Sequence, residues 1–293
     1  MRNLAEQTAP VAQKKRAGHG TLFIICAALL WSTGGILIKL IPWNSIAIAG
    51  LRSLFALMLS LCVIKDRRIR FTKTNIFGGL GMCASTYFYI IAVKMTTAAN
   101  AIILQYTAPI FIIVLSALFL KKRPTRLDLC AVTVVFCGIG LFFLEAIGTG
   151  QLLGNFLGLL SGVGFAAVFL CNSIPGATPQ QALLLGHTLG CVIGLPFAFF
   201  AVTAEPIPWF AVILLGTAQT GLAYFFLAKG SGSTPPLLAS LISCIDPVLN
   251  SLWVTLFLGE RPGLLSTIGI CIVIFGVIGY YTLLSLKAQR QNG

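Results

Sequence analysis

Charge is what this chain has least of. Only 9% of its 293 residues are Asp, Glu, Lys or Arg, and just seven are acidic, where a soluble domain carries about 25% charge. Such a chain cannot clothe a water-facing surface. Its 57% hydrophobic residues and mean hydropathy of +0.96 describe a protein of the lipid bilayer. Short segments of alternating polarity, the mark of a transmembrane β-barrel, are missing. The apolar runs are long and continuous, which points to helices. Enzyme signatures are missing too: there is no P-loop, no Gly-x-Ser-x-Gly and no His-Glu-x-x-His. Without a P-loop or a soluble domain, ATP-driven pumping by this chain alone is not expected. With two histidines and nine cysteines, none spaced Cys-x-x-Cys, neither a metal site nor a disulfide framework is expected.

The net charge of +13 does not indicate nucleic acid. The basic residues sit in short clusters between apolar runs, as in the loops of membrane proteins. A span needs about 20 mostly apolar residues. Ten candidates lie near 20–41, 45–64, 75–93, 97–120, 127–145, 153–172, 180–202, 208–228, 234–258 and 264–285. The cut between the third and fourth rests on Lys94 and Thr96–Thr97, and that before the seventh on Ser173–Pro179. The run Thr21–Ile41 is too long for a signal-peptide core. With the N-terminus inside, sixteen of the twenty Lys and Arg residues fall on the cytoplasmic side and three outside, with Arg52 within the membrane. Both termini are therefore expected in the cytoplasm.

Residues 99–140 align without a gap on 237–278, an offset of 138. Ala101 falls on Ala239, Pro109 on Pro247, Phe119–Leu120 on Phe257–Leu258, Arg123–Pro124 on Arg261–Pro262 and Gly138 on Gly276. Five spans per half, an odd number, give the two halves opposite orientations. Inverted repeats are a recurring build of secondary transporters, with the substrate near the midplane between the halves.

Together, Leu30-Trp31-Ser32-Thr33 followed by Lys39, Arg52, Ala99-Asn100-Ala101 leading to Pro109 and the Phe119–Pro124 corner, and Asp246-Pro247 followed by Leu258-Gly259-Glu260-Arg261-Pro262 resemble the EamA-type family of the drug/metabolite transporter superfamily. The resemblance covers nearly the whole chain. It implies an all-α membrane protein of ten transmembrane helices, built as two inverted five-helix repeats. It also implies cytoplasmic termini and export or exchange of small metabolites, amino acids among them. Relatives often carry Glu before the second-half proline, where this chain has Asp246. The division expected is a cytoplasmic N-terminal segment 1–19, repeats 20–146 and 147–285, and a cytoplasmic tail 286–293.

Asp246 is an intramembrane carboxylate that needs a partner or water. It could bind a substrate amine or a proton, or pair with Arg52 as structural glue. Helical spacing puts Ser243, Asp246 and Asn250 near one face, with Trp253 a turn further. Arg52, eight residues into its span, reads as a site for a substrate carboxylate or as a packed charge lock. Tyr87, Tyr89, Gln105 and Tyr106 add polar tips, and Tyr87 and Tyr106 could join Trp31 in a cavity wall; tyrosines also anchor at interfaces. The candidate substrate set is Trp31, Arg52, Tyr87, Gln105, Tyr106, Ser243, Asp246, Asn250 and Trp253. His187, Asn172 and Gln219 are polar interruptions without an assigned role. The Gly154-x-x-x-Gly158-x-x-x-Gly162 and Gly186-x-x-x-Gly190-x-x-x-Gly194 runs allow close helix contact. The reading is a secondary carrier for a small molecule in the inner membrane, amino acids first, other metabolites, nucleosides or cationic drugs as the alternative. A non-transporting receptor or scaffold is the different class. No cofactor is expected, proton coupling stays open, and the oligomeric state is not readable.

Overall fold

The computed structural model describes residues 19–96, 98–146, 152–172, 174, 177–258 and 264–292. The N-terminal segment to residue 18 and the Gly259–Gly263 corner lie outside them.

Capping residues set several starts. Asn44 accepts the Ala47 amide (2.7 Å) and Thr72 that of Asn75 (3.2 Å), each filling one orphan donor of a first turn. Thr125 and Asp128 form a reciprocal capping box, at 2.8 and 3.2 Å. Pro179, Pro206 and Pro236 open helices at the first position, where the missing N–H costs nothing.

The resulting helices are α1 His19–Lys39, α2 Ser45–Val63, α3 Lys73–Met95, α4 Ala98–Gln105, α5 Ala108–Phe119, α6 Arg126–Ala146, α7 Leu152–Cys171, α8 Pro179–Ala201, α9 Pro206–Ser231, α10 Pro236–Ser243, α11 Ile245–Leu258 and α12 Leu264–Asn292. They make ten membrane passes, because α4–α5 and α10–α11 are each one interrupted span. Both interruptions follow from proline. Pro109 and Pro247 cannot donate to the carbonyl four residues back, and α4 and α10 end at those residues, Gln105 and Ser243. The last helix runs to Asn292, so the segment expected as a tail is helical to that residue.

The halves are inverted, and the packing shows it directly. Equivalent spans that meet run antiparallel: α2 against α8, and α6 against α12. In the second pair the contact is reciprocal at the offset of 138. A Cβ on Gly138 would lie 2.9 Å from Val273 and 3.1 Å from Ile272. A Cβ on Gly276 would lie 2.9 Å from Val134 and 3.4 Å from Val135. Residue i thus meets the counterpart of residue j, and j meets the counterpart of i, which is the contact of a two-fold axis. Gly50 and Gly194 let α2 and α8 touch backbone to backbone: a Cβ on Gly50 would stand 2.6 Å from the Gly194 Cα. The other glycines of the two spaced runs also press on neighbours, Gly158 on Leu104, Gly186 on Met82 and Gly190 on Ser53.

Polar contacts between the halves lie at both ends of α2 and α8. At one end Asn75, Thr178, Gln181 and Asp66 form a connected network. At the other, Trp43 donates to Thr203 at 3.2 Å and its ring meets Trp209 edge-on at 5.2 Å. Phe199, Phe200, Leu152 and Phe275 stand on the outside, where lipid rather than water is the solvent.

A bulky side chain at the α6–α12 axis should be costly. Gly138→Leu is expected to lose about 1–3 kcal/mol through overpacking, read as a melting temperature several degrees lower in detergent. Gly140→Leu is its control, since nothing lies within 4 Å of a Cβ there, and should melt with the parent.

Candidate functional site

The two interrupted spans meet at their breaks. Tyr106, in the turn between α4 and α5, donates its hydroxyl to Asp246 Oδ2 at 2.6 Å. Asp246 lies in the first turn of α11. A discontinuous helix in each half, at corresponding positions, is where a transporter fold places its ligand. Asp246 and Tyr106 are 7% and 1% exposed, so the carboxylate is far from bulk water.

A cavity opens beside this contact. Its wall is Trp31 of α1, Arg52 of α2, Ser85, Thr86 and Tyr89 of α3, Gln105 and Tyr106 at the α4–α5 break, Phe165 of α7, Gln219 and Tyr224 of α9, and Asp246. Rings form much of it: Trp31 packs edge-on against Phe165 at 5.2 Å and Tyr224 at 5.0 Å, and Phe165 against Tyr106 at 5.9 Å. Gln105 Nε2 donates to Ser85 Oγ at 3.1 Å. The enclosed volume is about 20 Å³, room for about one water molecule and far below the 300–1,000 Å³ of a small-molecule pocket. A ligand larger than water fits here only if the wall residues move apart.

The charges in this wall do not close on each other. Arg52 is buried, and its Nε donates to Thr220 Oγ1. Among the described residues the one ion pair is Arg70–Asp66, so Arg52 and Asp246 share a cavity without forming a bridge. Arg52 Nη1 and Trp31 Nε1 are buried donors with no partner among the described residues. Buried donors are rarely left unfilled. A cavity lined by a carboxylate residue and by two residues with unfilled donors can take a group carrying both signs of charge. Among the described residues no cluster of His, Cys, Asp and Glu could hold a metal ion.

Of the residues singled out from sequence, Trp31, Arg52, Gln105, Tyr106 and Asp246 line the cavity. Tyr87 does not: its hydroxyl donates to the Gly190 carbonyl at 2.6 Å, joining α3 to α8. Ser243 bonds back to the Ala239 carbonyl at 2.9 Å. Ser243 is not among the residues that line the cavity. Asn250 lies against Gly35, and Trp253 donates to Ser32 Oγ at 2.8 Å; both face α1 outside the cavity wall. Tyr89 and Gln219 line the wall, although Gln219 carried no assigned role in the sequence. Ser85, Thr86, Phe165 and Tyr224 join it with no signal in the sequence beyond their residue type. His187 is buried behind Tyr224, ring centroids 6.5 Å apart.

Comparison with known proteins agrees with this architecture. The EamA-like transporter family model matches twice, over residues 18–144 and 152–282. The chain is 26% identical to the uncharacterized inner membrane transporter YicL of Salmonella typhimurium, over 93% of this chain and 97% of the relative. It is 24% identical to the uncharacterized transporter YwfM of Bacillus subtilis, over 88% and 92%. The pseudopaline exporter CntI of Pseudomonas aeruginosa is 26% identical, over 66% and 68%. A solved crystal structure superposes with a TM-score of 0.72 at 20% identity, over 92% of this chain and 98% of that one, which shows the shared fold.

The bond from Tyr87 lies off the cavity, so Tyr87→Phe should cost about 1 kcal/mol of stability and leave ligand affinity as it was. An affinity change with unaltered melting would place Tyr87 in the wall instead.

Proposed function

The chain belongs to the EamA-like transporter family, and on that premise we propose that it is a secondary carrier that exports or exchanges amino acids by alternating access. The observation that carries the substrate class is the unpaired placement of Arg52 and Asp246 in one cavity between the inverted halves. An ion of each sign in hydrocarbon is costly, and a structural pair would recover part of that cost by closing. Held apart, the two charges suit a zwitterion whose ammonium meets Asp246 and whose carboxylate meets Arg52. The aromatic wall suits an apolar side chain.

The small cavity fits a carrier whose spans must separate to admit a ligand. An export direction is supported by the relative whose name records export. The distribution of Lys and Arg supports an orientation with both termini in the cytoplasm of an inner membrane. The repeats then divide as 20–146 and 147–285. The Tyr106–Asp246 contact leaves room for proton coupling: protonation of Asp246 and binding of an ammonium group would compete for one carboxylate.

Counterflow in proteoliposomes loaded with a mixed amino-acid pool tests the reading. Saturable exchange of amino acids is expected. Asp246→Asn and Arg52→Gln, inserted at equal levels, should each lower it at least tenfold, since each leaves one substrate charge without its partner, a loss of about 1.5–3 kcal/mol. Undiminished exchange in both variants would refute the amino-acid site. Exchange of nucleosides or cationic drugs alone would keep the carrier and replace its substrate.

A further inference from the structure

Within α9 the stretch Leu215–Leu222 is a π-helix. Such stretches reach back five residues for their bonds, one more than an α-helix. The Thr220 hydroxyl uses this geometry, donating to the Leu215 carbonyl, five residues back, at 2.7 Å. Its oxygen thereby faces α2 and accepts the bond from Arg52 Nε. Gln219, one residue earlier, faces α1. Its Nε2 donates to the Trp31 carbonyl at 3.2 Å, just before the turn at Ser32–Thr33 that interrupts α1. Gly34 makes the space: a Cβ there would stand 2.6 Å from Gln219 Nε2. Gln219 Oε1 lies 3.0 Å from Thr220 Oγ1, an alternative to the Leu215 carbonyl for the single Thr220 hydroxyl proton, so the residues that hold Trp31 and Arg52 are neighbours on α9.

Trp31 and Arg52 each carry an unfilled donor. Trp31 Nε1 and Arg52 Nη1 have no partner among the described residues. Both residues are at least 95% buried, and both form the wall of the one cavity. Asp246 does not fill them: its Oδ2 accepts from Tyr106, and among the described residues it forms no ion pair with Arg52. Two unfilled donors on residues of one cavity match the two oxygens of a carboxylate, and a charge-assisted bond from a guanidinium is the stronger kind.

We propose that the π-helical stretch of α9 builds a carboxylate subsite, in which Arg52 Nη1 and Trp31 Nε1 bind the anion and Thr220 and Gln219 are positioning residues. The proposal rests on the amino-acid reading of the cavity and deepens it. Thr220 fixes the guanidinium through Nε, leaving Nη1 free for the ligand. Gln219 fixes the interrupted turn of α1, and with it the indole. The bonds to Arg52 and to the Trp31 carbonyl both leave from this stretch.

Equilibrium binding to the purified full-length protein in detergent tests this with two matched sets of labelled probes. One set is leucine, 3-methylbutylamine and 4-methylpentanoate; the other is phenylalanine, phenethylamine and 3-phenylpropanoate. Each set holds a zwitterion, its carboxylate-free amine and its amine-free acid. Thr220→Val and Gln219→Leu should weaken the zwitterions and acids about tenfold, the loss of a well-placed bond to a charged group, and leave the amines unchanged. Thr220→Ser should bind like the parent, because the hydroxyl remains. Equal weakening of all probes, or none, in a folded Thr220→Val protein would overturn the subsite while leaving the amino-acid reading in place. Parent protein that binds the acids but not the amino acids would end the amino-acid reading and keep the subsite. Parent protein that binds only amines, or none of the six, would overturn both.

Discussion

The hydrogen bond from Tyr106 to Asp246 joins the two places where the fold departs from continuous helix. In hydrocarbon a broken helix exposes backbone groups that nothing outside can satisfy, so an interruption persists only where protein surrounds it. Pro109 and Pro247 force one interruption in each half, and the inverted arrangement brings the two together. The cost of breaking a span is thereby met once, at one central place, and the breaks become the wall of a cavity instead of two separate defects. The antiparallel contacts of α2 with α8 and of α6 with α12 hold this geometry from either side.

Much of this is legible from sequence because the membrane makes polarity conspicuous. Ten passes, the offset of 138 and the paired prolines stand out against long apolar runs, and Arg52, Asp246, Tyr106, Gln105 and Trp31 all reach the cavity. What escapes the sequence is set by packing. Phe165 reads like any apolar helix residue, and Ser85 and Thr86 read like hydroxyls bonded to their own helix. The π-helical stretch of α9 has no proline to announce it; Gln219-Thr220 between Gly216 and Gly221 is its trace. Ser243 shares a helical spacing with Asp246, but its hydroxyl bonds within its own helix. Tyr87 has the same residue type as Tyr89 but sits two positions away on α3, where it meets Gly190.

The asymmetry between the halves is as telling as their likeness. Position 108 is Ala where its counterpart 246 is Asp, and position 106 is Tyr where its counterpart 244 is Cys. Duplication supplied the breaks, and divergence placed the acid on one and its hydrogen-bond donor on the other. Arg52 has its own support in Thr220. A carboxylate and a guanidinium with separate supports can face one cavity without collapsing together. With a volume of about 20 Å³, the cavity as it stands holds no more than a water molecule, and a larger ligand needs the spans to move.

A structure of the protein with leucine or phenylalanine bound addresses the central claim most directly. The account predicts the ligand between the halves, its carboxylate within hydrogen-bonding distance, about 3 Å, of Arg52 and Trp31, and its ammonium equally close to Asp246, with the cavity enlarged around the side chain. A ligand seated elsewhere, or one bound in this cavity while Arg52 and Asp246 close into a direct ion pair, would contradict it.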